Sequence, residues 1–262
     1  TAGSVTAMTI VTLPRLHWGN PEASRRALII HGLGSSAQTC WFLGHGLAQA
    51  GWSATAVDLR GHGYAPRAAS YRIADFAADV EATTPVEGGS WDLVIGHSIG
   101  AAAAVVAAHS SPTWSRQLIL LDPALLVDEE RKERVRTGQL YGHDQLTEEE
   151  VAAENPHWHP LDVEFRVWSH RTASRFAVEH AVLDNPVWDV TEEARQLQVG
   201  TVVLGGDPKV DAMFTGEHAE EILEANPRIR HVVIDGAGHS VHRDRPAETL
   251  REILLAVSDT PA

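Results

Sequence analysis

The sequence predicts an α/β fold with a mostly parallel central sheet, helices on both faces and a helical insertion. Three observations predict it. Short runs rich in Val, Ile and Leu recur, each closed by Gly or Asp, as expected of strands buried on both faces. Helix-length segments separate most of these runs, and strand–helix alternation implies a parallel sheet. One long interval, 123–197, breaks the rhythm with helical patterns and no clear strand.

Taken in order, the opening MTIVTLPRLHW supplies one or two antiparallel edge strands. The first core strand is 26–31, followed by the glycine-rich HGLGSS loop and a helix over 38–50. The second strand is 53–59, with a helix over 73–83 after it. The third strand, 91–97, runs directly into a helix over 98–108. The fourth is 116–122. After the interruption come a strand at 200–206, a helix at 216–225, a strand at 230–236 and a helix at 247–257. Residues 8–122 and 198–262 therefore form one core, and 123–197 is a helical cap inserted into it. Residues 1–7 read as an expression remnant, with Met8 as the native first residue.

With 262 residues the chain suits one large domain with an insertion. Its net charge of −14 argues against nucleic acid and anionic membranes as partners, since both need a basic face. No apolar stretch reaches the length of a membrane span, so a cytoplasmic protein is expected. The single cysteine, Cys40, sits in the apolar context QTCWFLG and reads as a small hydrophobe rather than a nucleophile.

Gly96-His97-Ser98-Ile99-Gly100 matches G-x-S-x-G between a strand and a helix. On such a turn the serine occupies a strained conformation, and the flanking glycines remove side chains that would collide there. The helix that follows aims its first N–H groups at the site, favouring developing negative charge. Ser98 is thus the candidate nucleophile. The candidate base is His239 in IDGAGHSVHRDRP, on the loop between the last strand and the last helix. His242 is its local rival, and His31 and His97 read as structural or pocket-lining. The candidate orienting acid is Asp207 in VVLGGDPKVD, after the penultimate strand, restrained toward an extended backbone by Pro208. Asp211 and Asp122 are its rivals. The oxyanion donors fall to the backbone N–H of Ile99, after the nucleophile, and of Leu33, in HGLGSS. Gly32 and Gly34 let that loop approach a ligand. HGLGSSA lacks G-x-G-x-x-G, and no phosphate-binding G-x-x-x-x-G-K-[ST] is present, so no cofactor is expected.

The HGLGSS loop, DLRGHG at 58–63, the GHSIG turn, the GGD after a late strand and the GAGHSVHRDRP ending together resemble the α/β-hydrolase superfamily, in its order along the chain. They are most similar to its small bacterial serine esterases. The resemblance implies the α/β-hydrolase fold, a catalytic triad on a nucleophile elbow and a cap over the active site. Relatives that open epoxides or remove halide carry an Asp where Ser98 stands. The expected function is hydrolysis of a carboxylic ester or lactone of a small, largely apolar substrate through an acyl-enzyme. The alternatives are a carbon–carbon bond hydrolase or hydroxynitrile lyase with the same triad, and a non-catalytic ligand-binding protein of the same fold.

Trp158, Phe165, Trp168 and Trp188 concentrate in the interval 123–197 and are expected to shape an apolar lid, with Trp41, Gly32 and His97 nearer the oxyanion loop. His157 and His159 in PHWHP lie two apart, face one side only on a strand, and lack a third ligand beside them, so no metal is expected. The EERKER run reads as a solvated helix face with i, i+4 ion pairs.

Overall fold

The computed structural model describes residues 9–258. The expected remnant at 1–7, and Met8, lie outside the described residues. Among those described, seven strands form one sheet in the order β1-β3-β2-β4-β5-β8-β9. These are β1 (Arg15–Trp18), β2 (Arg26–Ile30), β3 (Ser53–Val57), β4 (Leu93–His97), β5 (Gln117–Leu121), β8 (Gly200–Gly205) and β9 (Ile229–Val233). Only β1 runs antiparallel, pairing with β3 at one edge; every other pair is parallel. The opening segment thus supplies one edge strand.

The unbroken apolar runs follow from how the sheet is covered. Successive side chains point to opposite faces. Leu28, Ile30, Val94, Leu118, Leu120 and Val203 enter one core, while Ala27, Ile29, Leu93, Ile95, Ile119, Leu121, Val202 and Leu204 enter the other. Helices α1 (Trp41–Gln49) and α11 (Pro246–Ser258) seal the second core through Leu43, Leu47, Ile253 and Ala256. Helices α2 (Ile73–Ala82) and α3 (Ile99–Ser110) seal the first through Phe76, Val80 and the alanines of α3. Ala101 to Ala104 are all fully buried. Their small side chains let α3 lie between the sheet and α2 without voids.

The interval 123–197 is mainly helical, as its pattern predicts, and is closed at its base by a two-stranded ribbon too short for the sequence to signal. Strand β6 (Leu126–Val127) pairs antiparallel with β7 (Trp188–Asp189). Between them run α4 (Glu129–Asp144), α5 (Glu148–Glu154), α6 (Pro160–Thr172) and α7 (Arg175–Leu183). Helix α8 (Thr191–Arg195) follows, then α9 (Glu217–Ala225) between β8 and β9, and the short α10 (Val241–Asp244) before α11. Side chains cap the insertion's helices: Asp128 accepts from Arg131 N–H, Thr147 from Glu150 N–H, His159 from Leu161 N–H and Ser174 from Ala177 N–H. Pro160 at the first position of α6 suits a site where no N–H is needed. That explains His159 in PHWHP as a helix cap. Its neighbour His157 turns to Asp244 at 3.3 Å.

One buried ion pair ties the front of the chain together. Arg60 grips Asp79 through two bonds of 2.6 and 2.7 Å, and both side chains are almost fully enclosed. Asp79 also accepts from Val11 N–H at 2.7 Å, and Arg60 donates to Thr9 and Ser70 carbonyls. Removing one partner strands the other charge in the core, which costs about 3–5 kcal/mol. Asp79→Ala is therefore expected to lower unfolding free energy by that amount in urea titration, far more than replacing the exposed Glu87.

Candidate functional site

The parallel strands β4, β5, β8 and β9 deliver their C-terminal ends to one edge, where α/β folds carry their chemistry. β4 ends at His97 and α3 begins at Ile99, so Ser98 alone makes the turn. Its φ of 54° and ψ of −119° are strained for a residue with a side chain. The crowding that requires glycine is measurable. A Cβ on Gly100 would stand 2.3 Å from the His31 carbonyl oxygen, and one on Gly96 would stand 2.7 Å from Cα of Ala101. Both obstacles are backbone and cannot step aside.

His239 follows β9 on the loop before α10. Its Nε2 lies 3.0 Å from Ser98 Oγ, and its Nδ1 lies 2.6 Å from Oδ2 of Asp122. The structure thus brings Ser98 and His239 together but corrects the acid: the carboxylate on His239 is Asp122, not Asp207. The reason is topological. Asp122 ends β5, the immediate neighbour of the serine strand, whereas Asp207 follows β8, one strand further out. Asp122 turns in the left-handed region at φ 39° and is fully buried. Besides His239, it accepts N–H bonds from Gly206 at 3.1 Å, Met213 at 2.8 Å and Phe214 at 3.2 Å. Burial pushes its pKa up, but these bonds and the attraction of His239 outweigh it and hold the carboxyl below its ordinary value.

Asp207 does other work. Its carboxylate accepts from Lys209 N–H at 2.9 Å and Gly236 N–H at 3.0 Å, which lowers its pKa. Its own N–H donates to Ala237 carbonyl at 2.7 Å. It therefore pins the loop that carries His239. Asp211 is paired with Arg131 at 2.7 Å.

The loop after β2 is braced by two buried histidines. His31 donates from Nδ1 to the Gly32 carbonyl and accepts Leu59 N–H at Nε2, at 2.7 and 3.0 Å. His62 donates from Nδ1 to Arg60 carbonyl and accepts Gly34 N–H at Nε2, at 2.9 and 3.1 Å. Both are neutral in these roles. Burial chiefly drives His31 down to about 4 and His62 to about 3. Among the described residues, the N–H groups of Leu33 and Ile99 find no acceptor, so both remain available to a ligand. His97 donates from Nε2 to the His239 carbonyl at 3.0 Å and packs against the rings of His239 and His242. Burial, then the neighbouring His242, hold His97 well below the ordinary range. His242 is itself buried, and burial and then Arg243 hold it neutral.

A cavity of about 360 Å³ opens over Ser98 and His239. Of the residues expected to bind substrate, His97 and Trp188 line it. Trp188 is fixed by a bond from Nε1 to Ala124 carbonyl at 2.8 Å. Trp158 lines an adjoining cavity of about 470 Å³, with Nε1 bonded to Asp244. Gly32 lies beneath the site, where a Cβ would press on the His97 ring. Trp41, Phe165 and Trp168 line neither cavity. Trp41 Nε1 is committed to Asp162 at 2.9 Å, and Trp168 packs on Tyr64. Cys40 is buried and, chiefly by burial, its thiol is pushed up to about 12, so it is inert.

The residues the sequence did not single out include three arginines. Arg131, Arg134, Val135, Gly138 and Gln139 line the cavity from one face of α4, at helical spacing i, i+3, i+4, i+7, i+8. Arg166 joins them from α6. The EERKER run does carry the expected Glu130–Arg134 pair, but it is not simply a solvated face. Helical periodicity around Val135 was the available signal, and charge pairing masked it.

Residues 27–252 match the alpha/beta hydrolase family, and the chain belongs to it. A curated relative, Lipase LipV of Mycobacterium tuberculosis, is 34% identical over 134 residues, which spans 51% of this chain and 51% of that protein. Among solved structures, E-2-(acetamidomethylene)succinate hydrolase superposes with a TM-score of 0.80 at 21% identity, covering 95% of this chain and 96% of that one. A thermophilic esterase from Thermogutta terrifontis, solved with malate bound, gives a TM-score of 0.73 at 23% identity, covering 94% of each chain. At these identities the structural likeness speaks for the fold. No helix among the described residues is long and apolar enough to cross a membrane.

The buried histidines set a pH dependence. Their folded pKa values lie below the unfolded value near 6.5, so the unfolded chain takes up protons first as pH falls. The stability they contribute is complete above pH 6.5. It is lost progressively toward the folded values of about 4 for His31, 3 for His62 and 2 for His170. Each such group removes about 2 kcal/mol by pH 5. Calorimetric Tm is expected to fall steadily from pH 7 to pH 5; a flat Tm would mean that these imidazoles are already charged in the folded protein.

Proposed function

We propose that the protein is a serine hydrolase of carboxylic esters, with Ser98 as nucleophile, His239 as base and Asp122 as orienting acid. The observation that carries this reading is the continuous hydrogen-bonded line from Ser98 Oγ through His239 to Asp122, at 3.0 and 2.6 Å, opening on a cavity. Family membership and the similarity to a lipase support a hydrolase.

In this mechanism Ser98 Oγ attacks the ester carbonyl while His239 Nε2 takes its proton. The tetrahedral oxyanion is held by the N–H groups of Leu33 and Ile99, as the N-terminus of α3 favours. Asp122 keeps the Nδ1 proton on His239 and stabilises the imidazolium without itself being protonated. His239 then protonates the departing alkoxide as the C–O bond breaks, leaving an acyl-serine. Water, deprotonated by His239, attacks the acyl carbon, and Ser98 leaves with the proton returned. The products are an acid and an alcohol. The segment 123–197 acts as the cap that shapes the cavity.

Ser98→Ala is expected to lower turnover of p-nitrophenyl esters by about 10⁴-fold or more and to abolish labelling by a fluorophosphonate. Full retained activity would remove Ser98 from the reaction. Asp122→Asn is expected to lower kcat by about 10³–10⁴-fold by favouring the wrong imidazole tautomer. Asp207→Asn keeps one acceptor oxygen for the loop and is expected to lower kcat by only about tenfold or less. The opposite ranking would return the acid role to Asp207. A panel that includes amides and β-diketones separates ester cleavage from carbon–nitrogen and carbon–carbon cleavage by the same serine.

A further inference from the structure

The chain carries a net charge of −14, yet the cavity over Ser98 is lined by three guanidinium groups, Arg131, Arg134 and Arg166, against one carboxylate, Asp211. Two of the cations are engaged within the protein. Arg131 donates to Asp211 at 2.7 Å and to the Ala212 carbonyl at 3.1 Å, and Arg134 donates to Glu130 at 2.5 Å. Arg166 is different. Among the described residues, its guanidinium makes no hydrogen bond and no ion pair.

Its placement is not that of a surface arginine. Arg166 is half-buried and extends from the face of α6 that also buries Asp162, Val163, Val167 and His170. It stands where the two cavities adjoin, lining both. Burial, then the charge of Arg243, push its pKa down to about 9, so it still carries its charge at neutral pH. Glu154, on the wall of the second cavity, draws it the other way without forming an ion pair. The Arg166 guanidinium therefore faces the cavity without a counter-ion among the described residues and is open to an anionic ligand. A carboxylate is the anion that best matches the guanidinium, because it accepts two parallel N–H bonds from the planar fork.

We propose that the substrate is an ester that bears a carboxylate, and that Arg166 holds this carboxylate while Ser98 attacks the ester carbonyl. The assignment rests on the hydrolase reading above. The cavity is at the small end of the range for ligand sites. The carboxylate therefore lies a few bonds from the scissile carbonyl, as in the hemiester of a short dicarboxylic acid. The apolar walls, Leu33, Val127, Val135, Trp188 and Met213, take the methylene chain between them.

The test compares 4-nitrophenyl hydrogen glutarate with 4-nitrophenyl valerate, which matches it in length but lacks the charge. The wild-type protein is expected to favour the hemiester in kcat/KM. In Arg166→Gln the ratio of the two kcat/KM values is expected to fall about 10–100-fold, chiefly through KM of the hemiester, with partial rescue in Arg166→Lys. A second readout needs no turnover. Glutarate binding to the Ser98→Ala protein, measured by calorimetry, is expected to be lost in Ser98→Ala/Arg166→Gln and to persist, weakened, with Lys at 166. An unchanged ester ratio in Arg166→Gln, or glutarate binding that ignores residue 166, overturns the proposal. If neither ester is cleaved and a fluorophosphonate leaves Ser98 unlabelled, while glutarate binding still depends on Arg166, the hydrolase reading fails and the carboxylate site stands.

Discussion

A single buried carboxylate organises the working edge of this protein. Asp122 leaves the end of β5 in a left-handed turn and accepts four N–H bonds, from Gly206, Met213, Phe214 and the ring of His239. Those donors belong to two separate loops, after β8 and after β9. An ionised carboxylate cannot be buried without such compensation. The loops after β8 and β9 are thus held by the same charge that aims the imidazole at Ser98. Asp207 adds the second tie, joining the loop after β8 to Gly236 and so to the approach of His239.

Around that charge the buried rings of His31, His62, His97 and His242 are kept neutral. His31 and His62 each donate at one nitrogen and accept at the other, and in doing so brace the loop that carries the Leu33 N–H. His97 braces the His239 carbonyl. Neutral rings can play both parts of a hydrogen bond, whereas an imidazolium can only donate. Positive charge is instead placed at the cavity wall, on arginines that stay ionised even when partly withdrawn from water. Over a chain with a net charge of −14, this makes the cavity locally cationic.

Much of this was legible in the residues. Apolar runs such as RALIIH and RQLILLD announce strands covered on both faces, and the structure divides each between two cores, residue by residue. GHSIG announces the strained turn because only glycine fits two residues either side of it. The acid was harder. Asp122 and Asp207 both follow parallel strands, and both are buried. Local sequence favours Asp207, which Pro208 restrains; only strand order shows that β5 neighbours the serine strand and β8 does not. The aromatic content of the insertion was a similar trap. Trp41 and Trp168 are large and apolar, but the directions of their helices commit them to Asp162 and Tyr64 rather than to the cavity.

The sequence by itself determined what short range can determine: the alternation of strand and helix, the serine on its turn, the histidine on its loop and the helical character of the insertion. These depend on contacts within a few residues or on periodicity along the chain. The tertiary structure alone decided which carboxylate meets His239, which aromatics face the cavity, and that Arg166 stands at its wall without a partner among the described residues. Each of these is a distance between residues tens of positions apart, such as the 117 that separate Asp122 from His239. Such distances are set by strand order and helix rotation, which side-chain chemistry constrains only after the chain has closed on itself.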